Sequence, residues 1–283
     1  MKIVLAIPTA TGQLHVECAQ TLLQVRTALL TKGIASRFVS IAMSDVVFAR
    51  NYLAARFLED KAASHLFFID SDMQFHGKVV LRLLGHDKEL VGCAYPKRKL
   101  NFETLKQNLA KAKGGLDDAL ALSHEYNVRL LPGVAAPDKG LLRVAGIGAG
   151  ATLVRREVFD RMIARGAATA FRTATDYRQA GLTPPIYDFF GAVTTARGEA
   201  LSEDYSFCHR WTEGCGGGVW AVVDEDIGHI GPMRYSASFA RYLALTGGRR
   251  PRVSVKLGKE SRPGDPGTGP AASVVVKKSA QLN

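Results

Sequence analysis

Short apolar runs alternate with helical patterns through the first hundred residues, and this alternation restricts the fold more than any other feature. Lys2–Ile7 reads as a first strand. Leu22, Leu23, Val25, Ala28 and Leu29 recur at helical spacing between Leu14 and Leu30, and Gly33 stops that helix. Arg37–Ile41 is a second strand. Ser44 caps a helix that runs to about Glu59, with Asp45 favourable near its positive end. Leu66–Ile69 is the third strand, Gly77–Leu84 a further helix, and Leu90–Ala94 a fourth strand closed by Tyr95-Pro96. Units in this order predict an α/β fold with an open, mostly parallel, Rossmann-like sheet flanked by helices.

The second half is less regular. Asn101–Lys113 and Asp117–His124 are helical or loop-like. A Gly-rich bend (Gly146-Ile147-Gly148-Ala149-Gly150) leads into a strand and a helix ending near Ala164. It is a poor dinucleotide fingerprint, because it neither belongs to the first βαβ unit nor opens a helix directly. The glycines instead allow close backbone approach to a ligand or a neighbouring strand. Ala170–Ala200 reads as a long loop, Glu203–Trp211 as a helix, and Val219–Val223 as a strand followed by His229-Ile230-Gly231.

At 283 residues and 47% hydrophobic, the chain can bury a sizeable core. Its net charge of +11 invites a nucleic-acid reading, but the charge is unevenly placed. Residues 246–283 hold eight Lys/Arg against two Asp/Glu, or +6 of the +11, which leaves a body of +5. This stretch is Gly/Pro-rich and lacks apolar periodicity, so a disordered basic tail is expected after a body of residues 1–245. Such a tail suits weak contact with an anionic membrane, or none, and no specific nucleic acid. Four scattered cysteines without zinc spacing fit reduced thiols and a cytoplasmic location, peripheral to the inner membrane face if the tail binds there.

Chemistry concentrates where the third strand ends, in Phe67-Phe68-Ile69-Asp70-Ser71-Asp72-Met73. Ligands of such sheets bind outside the carboxyl ends of the strands. Side chains at i and i+2 of an extended chain point to one side, so both carboxylates can converge on one ion. Hard oxygen donors suit Mg²⁺ or Mn²⁺, particularly when phosphates add oxygens. The alternative is a solvated acidic turn. Pro8 and Thr9 end the first strand, at the same edge, where a nucleotide would lie; equally, the Thr9 hydroxyl could satisfy its own turn.

Ala49-Arg50-Asn51, Asp70-Ser71-Asp72, Ser202-Glu203-Asp204-Tyr205-Ser206-Phe207 and His229-Ile230-Gly231 together resemble nucleotide-sugar glycosyltransferases of the GT-A fold, nearest the family 2 type. The stretch from Glu203 to Gly217 is also similar to polypeptide N-acetylgalactosaminyltransferases. The likeness covers about residues 1–240. It implies a nucleotide-binding half over about 1–100, an acceptor half over about 101–245, and hexosyltransferase-like transfer from a nucleotide-diphosphate sugar to a glycan, lipid-linked or protein acceptor. By the resemblance, Asp72 is a direct metal ligand, His229 a further protein ligand, and Asp70 contacts the ribose or the metal through water. An imidazole among carboxylates favours Mn²⁺ over Mg²⁺. The resemblance assigns Arg50 and Ser71 to the nucleotide sugar, Asp204 to the general base of an inverting reaction, and Glu203 as second choice for the base. Ser44-Asp45 stands where the family has its acidic residue after the second strand, so uridine and guanosine both stay open. Trp211 and Tyr205 suit stacking on a sugar or burial in a helix face, and the cations of Tyr95-Pro96-Lys97-Arg98 suit a diphosphate or a solvated loop.

Two other classes are compatible with parts of the sequence. A nucleotidyltransferase would carry a Gly-rich cationic loop after the first strand, whereas Ile7-Pro8-Thr9-Ala10-Thr11-Gly12-Gln13 has no cation. A non-catalytic scaffold or nucleic-acid binder would account for the basic charge alone.

Overall fold

Runs such as Ile3–Ile7 and Leu66–Ile69 are apolar at every position because both faces of the strand are covered. Ile3, Leu5, Ile7, Phe67 and Ile69 enter one core, and Val4, Ala6, Leu66 and Phe68 enter the other. The computed structural model describes residues 1–133, 136–171, 185–231 and 234–247. The chain begins β1 (Lys2–Thr9), α1 (Val16–Leu30), β2 (Ala35–Ala42), α2 (Val46–Glu59), β3 (His65–Ile69), β4 (Met73–Gln74), α3 (Val79–Gly85) and β5 (Leu90–Cys93). It continues through β6 (Pro96–Leu100), α4 (Phe102–Leu109), α5 (Leu116–Ser123), β7 (His124–Tyr126), β8 (Val128–Leu130), β9 (Leu141–Ile147), β10 (Ala151–Arg155) and α6 (Arg156–Ala164). The last described elements are β11 (Thr169–Phe171), β12 (Ile186–Asp188), α7 (Glu203–Cys215), β13 (Val219–Val222), β14 (Ile227–Ile230), β15 (Arg234–Ala237) and α8 (Phe239–Thr246).

The large sheet has the order β2-β1-β3-β10-β5-β13-β9-β8. Six of its eight strands point the same way, and β10 and β9 are reversed. The fold is therefore mixed α/β with a mostly parallel central sheet between helices. Strand β10 lies antiparallel between β3 and β5, which splits the run of parallel strands expected over the first hundred residues. One core packs α1 and α3 on the sheet through Val25, Leu29, Val80 and Leu83. The opposite core holds Leu53 and Phe57 of α2, Phe159 of α6, Phe207 and Trp211 of α7, and Phe239 of α8.

Several local expectations shift. Asp45, not Ser44, caps α2, its carboxylate accepting from the Phe48 N–H at 3.2 Å. The stretch 170–200 contains the β11–β12 pair, and residues 172–184 lie outside the described residues. Trp211 is fully buried and its Nε1 donates to the Gly218 carbonyl at 3.0 Å, so it is a core residue and not a sugar platform. His229 stands inside a strand of its own. Its strand β14 is the centre of a second sheet, β15-β14-β4, with His229 opposite Met73. The tail expected over 246–283 lies outside the described residues beyond Gly247, and so does any membrane contact it makes. Among the described residues no helix is long and apolar enough to cross a membrane.

Candidate functional site

The carboxyl ends of the parallel strands β1 and β3 open into a cleft of about 590 Å³. Trp211, Tyr205 and Lys97 do not line it, whereas the residues assigned to metal, nucleotide sugar and base all do: Pro8, Thr9, Arg50, Asp70, Ser71, Asp72, Glu203, Asp204 and His229. They arrive from five separate elements or their ends. Asp70 and Asp72 follow β3 and precede β4. Strand β4 pairs antiparallel with β14, and this register carries His229 to the second carboxylate.

Asp72 and His229 are close, with Oδ2 and Nε2 3.5 Å apart. His229 Nδ1 lies 2.9 Å from the Pro96 carbonyl. A carbonyl only accepts, so Nδ1 carries the hydrogen; Nε2 donates to the Asp72 carboxylate when the ring is protonated and turns a lone pair toward it when the ring is neutral. Arg98 Nη1 reaches the same Asp72 oxygen at 2.9 Å. Burial works to raise the Asp72 carboxyl, but the hydrogen bond to His229 and the charges of His229 and Arg98 outweigh it. The result lies below the ordinary carboxylate value.

Asp70 is engaged differently. Arg50 Nη2 donates to its Oδ1 at 3.0 Å and its Oδ2 at 3.3 Å. Arg50 is 2% exposed, not the solvated helix arginine that its position on α2 also allowed. Its Nε lies 3.4 Å from Asp204 Oδ1 and 3.8 Å from Glu203 Oε1, ion-pair distances at which no hydrogen bond forms. Burial opposes the guanidinium charge, but Asp70, Asp204 and Glu203 outweigh it and raise its pKa further. Among the described residues no group of three His, Cys, Asp or Glu side chains converges as a ready metal cage. Asp72 and His229 form a two-donor pair, and Asp70 belongs to the arginine.

Asp204 opens α7, and its side chain is 9% exposed. Burial raises its pKa from 3.8 to about 7, against the pull of Arg50 and with help from Glu203 and Asp70. Its Oδ1 has no hydrogen-bond partner among the described residues. Glu203 beside it is more open, at 20%.

Thr9 lines the cleft but engages its hydroxyl within the protein, donating to the Ile41 carbonyl of β2 at 3.3 Å and accepting from Gly12 N–H at 2.8 Å. Asn51, adjacent to Arg50, is structural. Its Oδ1 accepts from the N–H groups of Phe189 and Phe190, and its Nδ2 donates to Asp188. Nothing in the residue pattern points to Asn127. Its Nδ2 donates to the Tyr95 hydroxyl at 2.9 Å and its Oδ1 accepts from the Tyr205 hydroxyl at 3.0 Å. Gly150 N–H donates to the same Tyr95 oxygen at 3.0 Å. A Cβ at Gly148 would collide with the Asn127 amide and the Tyr95 hydroxyl, so the Gly-rich bend is there for close approach.

No family model matches the sequence, and no curated protein matches it. Among solved structures, A197 from STIV aligns with a TM-score of 0.45 at 16% identity, covering 85% of this chain and 92% of that one. S. aureus TarS in complex with UDP-GlcNAc aligns with a TM-score of 0.35 at 9% identity, over 84% of this chain and 58% of that one. An active-site mutant of LgtC aligns with a TM-score of 0.24 at 13% identity, over 58% of this chain and 62% of that one.

Proposed function

We propose that the chain is a metal-dependent glycosyltransferase that moves a sugar from a nucleotide-diphosphate sugar to an acceptor hydroxyl with inversion. The observation that carries this reading is one cleft at the carboxyl ends of β1 and β3 that gathers three separate chemistries. It holds a carboxylate–imidazole pair, a buried arginine locked to a second carboxylate, and an acid tuned to about 7.

The pair Asp72–His229 fits a divalent cation. Two lone-pair donors face each other at 3.5 Å with the imidazole hydrogen held on the far side by Pro96, the orientation common to histidine ligands. One oxygen and one nitrogen suit Mn²⁺, or Mg²⁺, and leave positions for diphosphate oxygens. When bound, such an ion neutralises charge developing on a departing diphosphate. Arg98 adds a second cation at the same place. Asp70, held by Arg50, presents its remaining acceptor capacity at the cleft wall toward the ribose, with Ser71, Pro8 and Thr9 alongside.

Asp204 takes the proton of the attacking hydroxyl. A base must be ionised to act yet basic enough to hold the proton, and a pKa of about 7 meets both needs near neutral pH. Glu203 is the second candidate.

Thermal shift with a panel of nucleotide sugars and Mn²⁺ tests the binding half. At a hundred times Kd, one donor should stabilise the fold by about 2.7 kcal/mol, and Asp72→Ala should abolish the shift. No shift with any donor, or an equal shift in Asp72→Ala, would count against the reading.

A further inference from the structure

Helix α4 leaves its apolar side chains in water while cations gather around it. It buries no residue. Phe102 is 63% and Leu109 47% exposed, two turns apart and therefore on one face, with half-buried Leu105 between them. Leu116, 56% exposed, opens α5, which packs against α4. Asn108 turns inward, its Nδ2 donating to Ser123 Oγ at 3.1 Å, and this fixes which side of α4 looks out. Asn101 caps the helix by accepting from Thr104 N–H at 3.0 Å, so the helix is a formed element.

The charge around this face is mostly positive, with Glu103 in the first turn of α4 and Asp117 beside Leu116 as the exposed acids. From Lys97 to Lys113 there are six Lys/Arg and one Glu. Arg98 is bound to Asp72, and Lys97 and Lys99 share Glu125. Lys106, Lys111 and Lys113 are exposed and make no ion pair with any described residue. Three protruding apolar side chains fall far short of the roughly 20–30 residues a side of a stable protein interface. They match the other use of such a helix, in which Phe and Leu enter between lipid headgroups and lysines remain at phosphate level.

We infer that α4, with the start of α5, is an interfacial docking surface for an anionic lipid bilayer. The site is distinct from the basic tail and independent of the transferase reading. It is also joined to the cleft, because β6 carries Arg98 to Asp72 and runs into α4 through Asn101.

Co-sedimentation of the full-length chain with phosphatidylcholine vesicles, with and without phosphatidylglycerol, tests this. Wild type should partition only onto the anionic vesicles. Phe102→Ser with Leu109→Ser should lower that partitioning by at least ~10-fold with Tm unchanged, since both side chains are already exposed. Lys106→Glu, Lys111→Glu and Lys113→Glu together should lower it by more than ~10-fold. The tail is intact in both variants, so attachment through the tail alone would survive them. Wild-type partitioning by the double-serine variant would overturn the proposal. So would loss of self-association in that variant without loss of lipid binding, which would make the face a contact between copies. A Phe102→Trp variant should show a blue-shifted emission on adding anionic vesicles, and sedimentation without that shift would also overturn it.

Discussion

Asp204 sits where burial and charge oppose each other, and burial wins. With its pKa near 7, turnover should rise with pH through an apparent value close to 7. Asp204→Asn should lower turnover by about 10²–10⁴-fold and leave donor affinity nearly intact; near wild-type turnover would make the residue structural. Arg50 has the complementary role. It faces Asp70, Asp204 and Glu203 from a site 2% exposed, so Arg50→Met leaves one buried and two half-buried carboxylates without this cation. Urea denaturation should register a loss of about 3–5 kcal/mol, against nearly nothing if the arginine were a peripheral donor contact. The residue types in this site were legible in the sequence, but their pairing was not. Arg50 and Asp70 are on different elements, and only the packing of α2 against β1 and the sheet edge makes one the counterion of the other.

At the scale of elements, strands β1, β2, β3 and β5 and the helices between them follow from apolar runs and helical spacing. The place of β10 does not. Ala151–Val154 is buried at every position like its neighbours, and a buried run fits either direction in a doubly covered sheet. The same limit hid β4, two residues long, and so hid the pairing that carries His229 to Asp72. The Gly-rich bend was legible as a point of close approach, though not what approaches it. Gly148→Ala should lower stability by about 1–3 kcal/mol, because the new Cβ meets the Asn127 amide and the Tyr95 hydroxyl. Gly85→Ala, at the end of α3 with nothing within 4 Å, should be neutral or stabilising. Equal melting temperatures for the two variants would remove the packing role given to the bend.

For the whole molecule, the acids of one cleft give opposite dependences on pH. Asp204 holds its proton more tightly folded than unfolded, so its contribution is full below about 3.8 and is lost as pH rises through about 7. Asp72 has a lowered value, so its contribution is present above the ordinary carboxylate range and lost as pH falls. The stability of wild type relative to Asp204→Asn should therefore decline between about pH 4 and pH 7. A difference that is flat or rising across that window would show that Asp204 is ionised throughout. The central claim is that this cleft turns over a nucleotide-diphosphate sugar, and the most direct measurement is release of nucleoside diphosphate from a donor panel with Mn²⁺. Wild type should release it slowly from one donor, faster once an acceptor is found. Release should stop with chelator, return with added Mn²⁺, and fall by about 10²–10⁴-fold in Asp204→Asn. Release that is indifferent to chelator and equal in the two proteins, or none from any donor that binds, would contradict the account.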